Sequence, residues 1–417
     1  MEMRSLSRYE SICIDGYTAG LLSSSEMDLV RFDALASQSQ LMSETRQQLL
    51  RVEALSSVSI DGRRVKYLDL LKLEAAILNT PFTDDDCTRL YRLANKLGLE
   101  DASGATVSYR YMRTVDWVAR NIAKDTVIDS GIFETIRDLY NENEIEAIAN
   151  PESLDPRERR AIRRKAESAE SRRQTPAKDA LIDDYIDLLN ANILTPSAQA
   201  EISHAQLQLI KPYEGNLDAY ERVFSHLVFY RRGVLTSSIA PLAIGPARNV
   251  TRHVQSLVSN MEGLVNSKTS ETSVQTDFRH SSYCAEMAVK TAYLCQSILA
   301  AYWQRWQKSL SKTRSDSATL TLAKLFLGWP CLTIAIASEK IGRGFSATNN
   351  AMKELTEAGI VREISRLSKH RLFCAVDLAE TLEKLMEKAI SSELLNRDKI
   401  LDAILQPEYG GDADRRS

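Results

Sequence analysis

The chain has 417 residues, 44% of them apolar and 26% charged, with a formal net charge of −3. That length is enough for two or three domains around a sizeable buried core, and the composition is that of an ordinary globular protein. The slight negative charge excludes a generally basic nucleic-acid coat but not a local basic patch, and no apolar run reaches the length of a membrane span, so no membrane partner is expected. The first twenty residues lack the charged start and apolar centre of a secretion signal. The cysteines at 13, 87, 284, 295, 331 and 374 show no CxxC spacing, which predicts reduced, mostly buried thiols and a cytoplasmic setting. No His/Cys cluster has metal-ligand spacing, so no metal site is expected.

Helical periodicity dominates and no long alternating run points to a large sheet, so a mainly α fold is expected. Met27, Leu29, Val30, Phe32 and Leu35, then Leu41, Leu49, Leu50, Val52 and Leu55, predict two amphipathic helices. Ser59-Ile60-Asp61-Gly62 breaks that pattern, and Leu68, Leu70, Leu71 and Leu73 mark the next helix. Asp84-Asp85-Asp86 reads as a helix start, since side-chain oxygens there accept free backbone N–H groups. Residues 151–178 carry Arg157, Arg159, Arg160, Arg163, Arg164, Lys165, Arg172 and Arg173 with almost no large apolar side chain, which predicts an exposed helix or a linker. Leu181, Ile182, Tyr185, Ile186, Leu188 and Leu189 then form a stripe of core residues. Phe278 to Lys312 reads as one long helix with Leu294, Ile298, Tyr302, Trp303 and Trp306 among its apolar positions. The polar stretch Ser311 to Ser317 predicts a boundary before a small C-terminal domain, which ends in a helix through Leu378, Leu382, Leu385 and Met386. Residues 406–417 read as a disordered tail.

The segment Ser203-His204-Ala205-Gln206-Leu207-Gln208-Leu209-Ile210 runs into Lys211-Pro212-Tyr213-Glu214-Gly215-Asn216. Arg222 follows, then His226-Leu227-Val228-Phe229-Tyr230-Arg231-Arg232-Gly233. This succession resembles the core of the Fic family, whose approach helix ends AHAQFExIHPF and leads into a glycine-rich DGNGR loop and a second helix. Ile136 to Tyr140 and Asp183 to Leu189 resemble the helices that precede that motif, so the resemblance spans residues 17–257. It implies an N-terminal helical region over 1–110 and a Fic-like helical core over 111–312. Fic enzymes move a nucleotide, most often AMP from ATP, onto a hydroxyl of a target protein. ATP and Mg²⁺ are therefore the cofactors that an active site of this kind would use.

This chain departs from the family at the positions that carry the chemistry. Lys211 stands where the family has its catalytic histidine, and a lysine is normally protonated near neutral pH. Aligned without a gap, the loop becomes Gly215-Asn216-Leu217-Asp218-Ala219; shifted by one residue, Glu214 takes the acidic position and Asp218 replaces the loop arginine. Arg222 falls on the family's second arginine. Asp218 and Glu221 would repel a triphosphate. Lys211, Pro212, Tyr213, Glu214, Gly215, Asn216 and Arg222 thus mark a degenerate site, expected to be inactive and without a cofactor. The alternative is an altered nucleotidyl or phosphoryl transferase in which Lys211 pairs with a phosphate. Ser57-Val58-Ser59-Ile60-Asp61-Gly62 resembles the family's inhibitory Ser-x-x-x-Glu-Gly motif, whose glutamate pairs with a loop arginine. Asp61 is one methylene shorter, so both halves of that lock are expected to be relaxed; Gly62 also suits an ordinary helix cap. The Arg-rich stretch replaces the β-hairpin with which the family holds its targets.

Leu320 to Leu385 resembles a winged helix-turn-helix, a frequent C-terminal appendage of Fic proteins, within a domain spanning 318–405. Trp329 to Thr333 would end one helix and open the next, which carries Ile334, Ile336 and Ile341. Gly342-Arg343-Gly344-Phe345 would be the turn and Ser346 to Leu355 the recognition helix. Val361–Ile364 and Leu372–Val376 would form the wing. Ser346, Thr348, Asn349, Asn350 and Lys353 are expected to face a DNA groove, and Arg366, Lys369 and Arg371 to meet phosphates from the wing. The expected function is that of an inactive Fic-like regulator with DNA or a protein as its partner; self-association is left open. His204 reads as a packed helix residue, and His253 and His280 show no partner in the sequence.

Overall fold

In a computed structural model of the chain, the described residues are 9, 12–79, 93–140, 176–210, 218–266, 274–275, 278–311, 314, 317–364 and 371–391. The expected helix start at Asp84–Asp86, the Arg-rich stretch and the tail lie outside them. The fold is mainly α-helical. No helix among the described residues is long and apolar enough to cross a membrane.

The body contains α1 (Gly16–Ser37), α2 (Met42–Ile60), α3 (Tyr67–Leu78), α4 (Ala102–Asn121) and α5 (Ser130–Tyr140). After these come α6 (Pro176–Asn190), α7 (Pro196–Ile210), α8 (Asp218–Arg231), the short α9 (Ile244–Arg248), α10 (Val250–Asn266) and the long α11 (Arg279–Ser309). A two-residue parallel pair joins β1 (Ile12–Cys13) to β2 (Val274–Gln275). Local chemistry sets several ends. Asp15 caps α1 by accepting the Thr18 N–H at 2.9 Å, and Asp101 caps α4 by accepting the Gly104 N–H at 2.7 Å. α2 stops where Gly62 takes φ +79°, and the Arg63 N–H bonds back to the Val58 carbonyl at 3.2 Å.

The apolar positions expected on the first helix do not all turn inward. Leu22, Leu29 and Phe32 are buried, whereas Met27, Val30 and Leu35 are exposed. The 3–4 spacing of Leu22, Ser25, Leu29, Phe32 and Ala36 defines one face, and the other three lie off it. α7 packs against α6, α8 and α10, and α8 packs also against α4. Phe133, Tyr185, Tyr220 and Phe224 meet edge-on or tilted between α5, α6 and α8. Such pairs add about 0.5–1.5 kcal/mol each beyond their burial.

The C-terminal part comprises α12 (Ala318–Gly328), β3 (Cys331–Thr333), α13 (Ile334–Ile341), α14 (Phe345–Glu357), β4 (Arg362–Glu363), β5 (Leu372–Cys374) and α15 (Val376–Ile390). Its sheet has the order β3-β5-β4, antiparallel throughout, with Cys331 opposite Cys374 and Glu363 opposite Phe373. The sequence made Trp329–Thr333 a plain joint between helices; the structure places a strand there. Pro330 has no N–H with which to continue α12, and β5 supplies the partner for Cys331–Thr333. The Thr333 hydroxyl then caps α13, and Gly342 ends that helix at φ +64°.

The apolar core runs without a break from the body into this part, from Leu49 and Leu70 to Phe326 and Leu378. Polar ties cross the junction as well. Gln48 donates to the Leu327 carbonyl, and Arg51 donates to the Gly328 carbonyl at 2.7 Å and to the buried Glu74 at 2.6 Å.

Candidate functional site

Lys211, Pro212, Tyr213, Glu214, Gly215 and Asn216 lie outside the described residues, and the side chain of Asp218 does too. Arg222 is the part of the motif whose surroundings are described. It sits early on α8 and points at the end of α2, only 5% exposed. Its Nε donates to the Ser57 hydroxyl at 2.8 Å, and its Nη2 donates to the Ser57 carbonyl at 2.9 Å. Nη2 also reaches both Asp61 carboxylate oxygens, at 3.0 and 2.9 Å. Burial opposes the charge on Arg222, but Asp61 beside it outweighs that and raises its pKa. The expectation that the Asp61 half of the lock is relaxed is therefore corrected; the loop half falls on residues outside the described ones. Asp61 is short, yet the end of α2 lies close enough to α8 for a two-oxygen contact.

One turn further along α8, His226 meets Glu53 of α2 at 2.8 Å. Glu53 also accepts from the Tyr111 hydroxyl and from the Ala243 N–H, each at 2.8 Å. This buried carboxylate therefore has three partners. Burial, with Glu53 next to it, pushes the Tyr111 hydroxyl well above its usual pKa, so it remains a donor. Glu53 and His226 were not singled out from the sequence. The available signal was that Glu53 follows Leu49 by four residues, on a face that must be buried.

The histidines converge. His204 on α7 lies 3.6 Å from Glu221 and stacks on His253 of α10 at 5.4 Å, and His253 stands 5.4 Å from His280 of α11. With His226, four of the chain's five histidines thus line one interior. Burial first, then His204, Arg222 and His280, push His253 down to about 2, so its ring is neutral. α10 is inverted. His253, Ser256 and Asn260 are buried, and Ser256 and Asn260 each donate to Glu201 at 3.2 Å, while Val250, Val254 and Val258 face outward. Glu53, Glu201, His204, Arg222, His253 and Cys284 border a cavity of about 50 Å³. That is room for a few waters and far less than a nucleotide needs. Among the described residues no group of three His, Cys, Asp or Glu is placed to hold a metal ion.

On the C-terminal part the structure sorts the DNA-contact candidates. Ser346, Asn350 and Lys353 are exposed on α14 and Asn349 is half-buried. Thr348 is corrected: it is 0% exposed and its hydroxyl bonds to the Gly344 carbonyl at 3.1 Å. Thr348, Ala351, Met352 and Leu355 share the core face at i, i+3, i+4 and i+7. Arg371 is paired with Glu363 on the neighbouring strand through Nε at 2.8 Å, so its charge is offset locally. Arg366 and Lys369 lie outside the described residues. Phe345, expected in the turn, opens α14 and is 61% exposed.

No family model matches this chain, and no curated protein matches it.

Proposed function

We propose that this chain is a Fic-like protein that has given up nucleotidyl transfer and acts as a regulator through a C-terminal winged helix, with DNA as its partner. The observation that carries this reading is the solvent face of α14. Ser346, Asn350 and Lys353 stand exposed on α14, which packs against α12 and α13. Asparagine and lysine can read base edges from such a helix. The inactive half of the reading is supported by Arg222, whose guanidinium is engaged by Ser57 and Asp61.

The test is fluorescence anisotropy of the full chain with a mixed-sequence duplex at two salt concentrations, together with label transfer from α-phosphate-labelled ATP in Mg²⁺. Salt-sensitive DNA binding weakened by Lys353→Ala, with no label transferred, is the expected result. Absence of DNA binding at low salt would sink the DNA version. Labelling that disappears in Lys211→Ala would restore the alternative of an altered transferase.

A protein partner is the second reading, favoured by exposed Phe345 and by the Glu363–Arg371 pair, which lowers the net charge of the wing. It predicts a partner whose capture depends on Phe345 and not on salt.

A further inference from the structure

Cys331 and Cys374 stand 43 positions apart in the sequence, and the fold sets them face to face. They are partners in the antiparallel register of β3 and β5. The Ala375 N–H donates to the Pro330 carbonyl at 2.9 Å, so the neighbouring pair, Pro330 and Ala375, is a hydrogen-bonded one. Bonded and unbonded pairs alternate along an antiparallel ladder, which makes Cys331 and Cys374 an unbonded pair. Pairs of that kind bring their Cα atoms to about 4.5 Å, inside the roughly 4.4–6.8 Å that a disulfide spans, and their side chains leave the same face of the sheet. The sulfurs agree with the register: the two Sγ atoms lie 2.7 Å apart, both as free thiols. Cys284 and Cys295, by contrast, are separated by about three turns of α11 and cannot bridge each other.

The pair lies at the base of the C-terminal part. β3 is fastened to the body, because the Thr333 hydroxyl donates to the Asn79 side-chain carbonyl at 2.6 Å and the strand packs on α3. β5 leads into α15, which packs on α3 and α11. Between these two anchored points the chain makes one excursion, through α13, α14 and β4. Cys331 and Cys374 mark where that excursion leaves and where it returns.

We propose that Cys331 and Cys374 are a redox modification site, oxidised by hydrogen peroxide to a disulfide that closes the base of this excursion. One thiolate attacks the peroxide, the O–O bond breaks, and that sulfur becomes a sulfenic acid as water leaves. The second sulfur then displaces the sulfenic oxygen: the S–O bond breaks, the S–S bond forms and a second water leaves. The two sulfurs give up two electrons to the peroxide oxygens, and the two thiol protons leave in the two waters. Burial pushes the Cys331 thiol well above its usual pKa, so little of it is thiolate in the closed fold. Oxidation is therefore slow and follows opening of the short sheet, and the finished bond is shielded from soluble thiols in the same way. The bond removes conformational freedom from the unfolded chain and so stabilises the closed excursion. The inference stands apart from the DNA reading, and none of its measurements uses DNA.

The test uses the full-length protein, first reduced and then treated with hydrogen peroxide under native conditions. Remaining thiols are alkylated with iodoacetamide in denaturant, and the digest is mapped by mass spectrometry without reduction. The expected product is a peptide pair linked through Cys331 and Cys374, absent before treatment and released by dithiothreitol. The oxidised protein is expected to melt about 3 °C or more above the reduced one, a shift reversed by dithiothreitol and absent from both Cys331→Ala and Cys374→Ala. The mapping is made on the parent chain and does not depend on how either variant folds. The proposal is overturned if Cys331 and Cys374 are both recovered alkylated after treatment, if they are recovered in mixed pairings with the other cysteines, or if the linked protein melts no higher than the reduced one.

Discussion

The interior behind α8 and the surface of α14 place their polar groups in opposite ways. Behind α8, Arg222, Glu53, His226, His204 and Glu201 are buried and Asp61 is half-buried; Arg222 holds Asp61 and His226 holds Glu53, while α10 turns valines outward. In the C-terminal part the core is apolar, with Phe326, Leu332, Met352, Leu355 and Phe373 inside and Ser346, Asn350 and Lys353 outside. A buried network of hydrogen bonds and ion pairs fixes geometry and resists change, because removing one partner strands another. An exposed polar face on an apolar core can change partners at little cost in stability. The first region is therefore read as framework and the second as contact surface.

That contrast breaks most visibly at Arg222. Arg222→Ala leaves the half-buried Asp61 carboxylate without its cation and should cost about 3 kcal/mol or more in chemical denaturation. The double change Arg222→Met, Asp61→Leu should recover much of that loss. If Arg222→Ala were nearly neutral, the framework reading would fail.

Asp33 offers a smaller version of the same test. It binds the turn after α8, accepting the N–H groups of Thr236, Ser237 and Ser238 at 3.1, 3.1 and 2.7 Å. Asp33→Ala should cost about 1.5–3 kcal/mol by thermal or denaturant melting.

Two pH windows separate these groups. His253 is neutral in the folded protein, with its pKa pushed down by burial to about 2, whereas the unfolded chain takes up a proton below about 6.5. The unfolded state therefore binds more protons as pH falls from about 6.5, and stability declines there. For Asp33, burial raises the carboxyl, but its bonds to Ser238 and Thr236 outweigh burial and set it below the usual range. Its contribution is complete above about 3.9 and is lost as pH falls from there through the folded value. Melting of His253→Leu against pH should flatten the first window only, and melting of Asp33→Asn the second only.

The smallest expected stability effects are on α14. Asn350→Ala and Phe345→Ala should each shift stability by no more than about 0.5 kcal/mol. Asn350→Ala should nonetheless weaken DNA binding, and Phe345→Ala should not if DNA is the partner. A loss of stability at either position would mean that this face is not a free surface.

Much of the helical frame was legible in the sequence, because apolar spacing reports which side of a helix must leave water. The long helix expected over Phe278–Lys312 is Arg279–Ser309, and β4 and β5 fall inside the two stretches expected to be strands. Thr348 was legible too: its spacing to Ala351, Met352 and Leu355 places it on the core face, although its polarity suggested the groove.

Which side chain faces which across the fold was not legible. Arg222 reaches Asp61 across 161 positions, Gln48 reaches Leu327 across 279, and the histidine column draws on three helices. Strand β3, three residues long, exists only because β5 returns beside it. Periodicity is a property of one segment, and it fixes a segment's inward face. The partner of a buried charge depends on how helices far apart in the chain pack together, and that is decided only once the tertiary structure has formed.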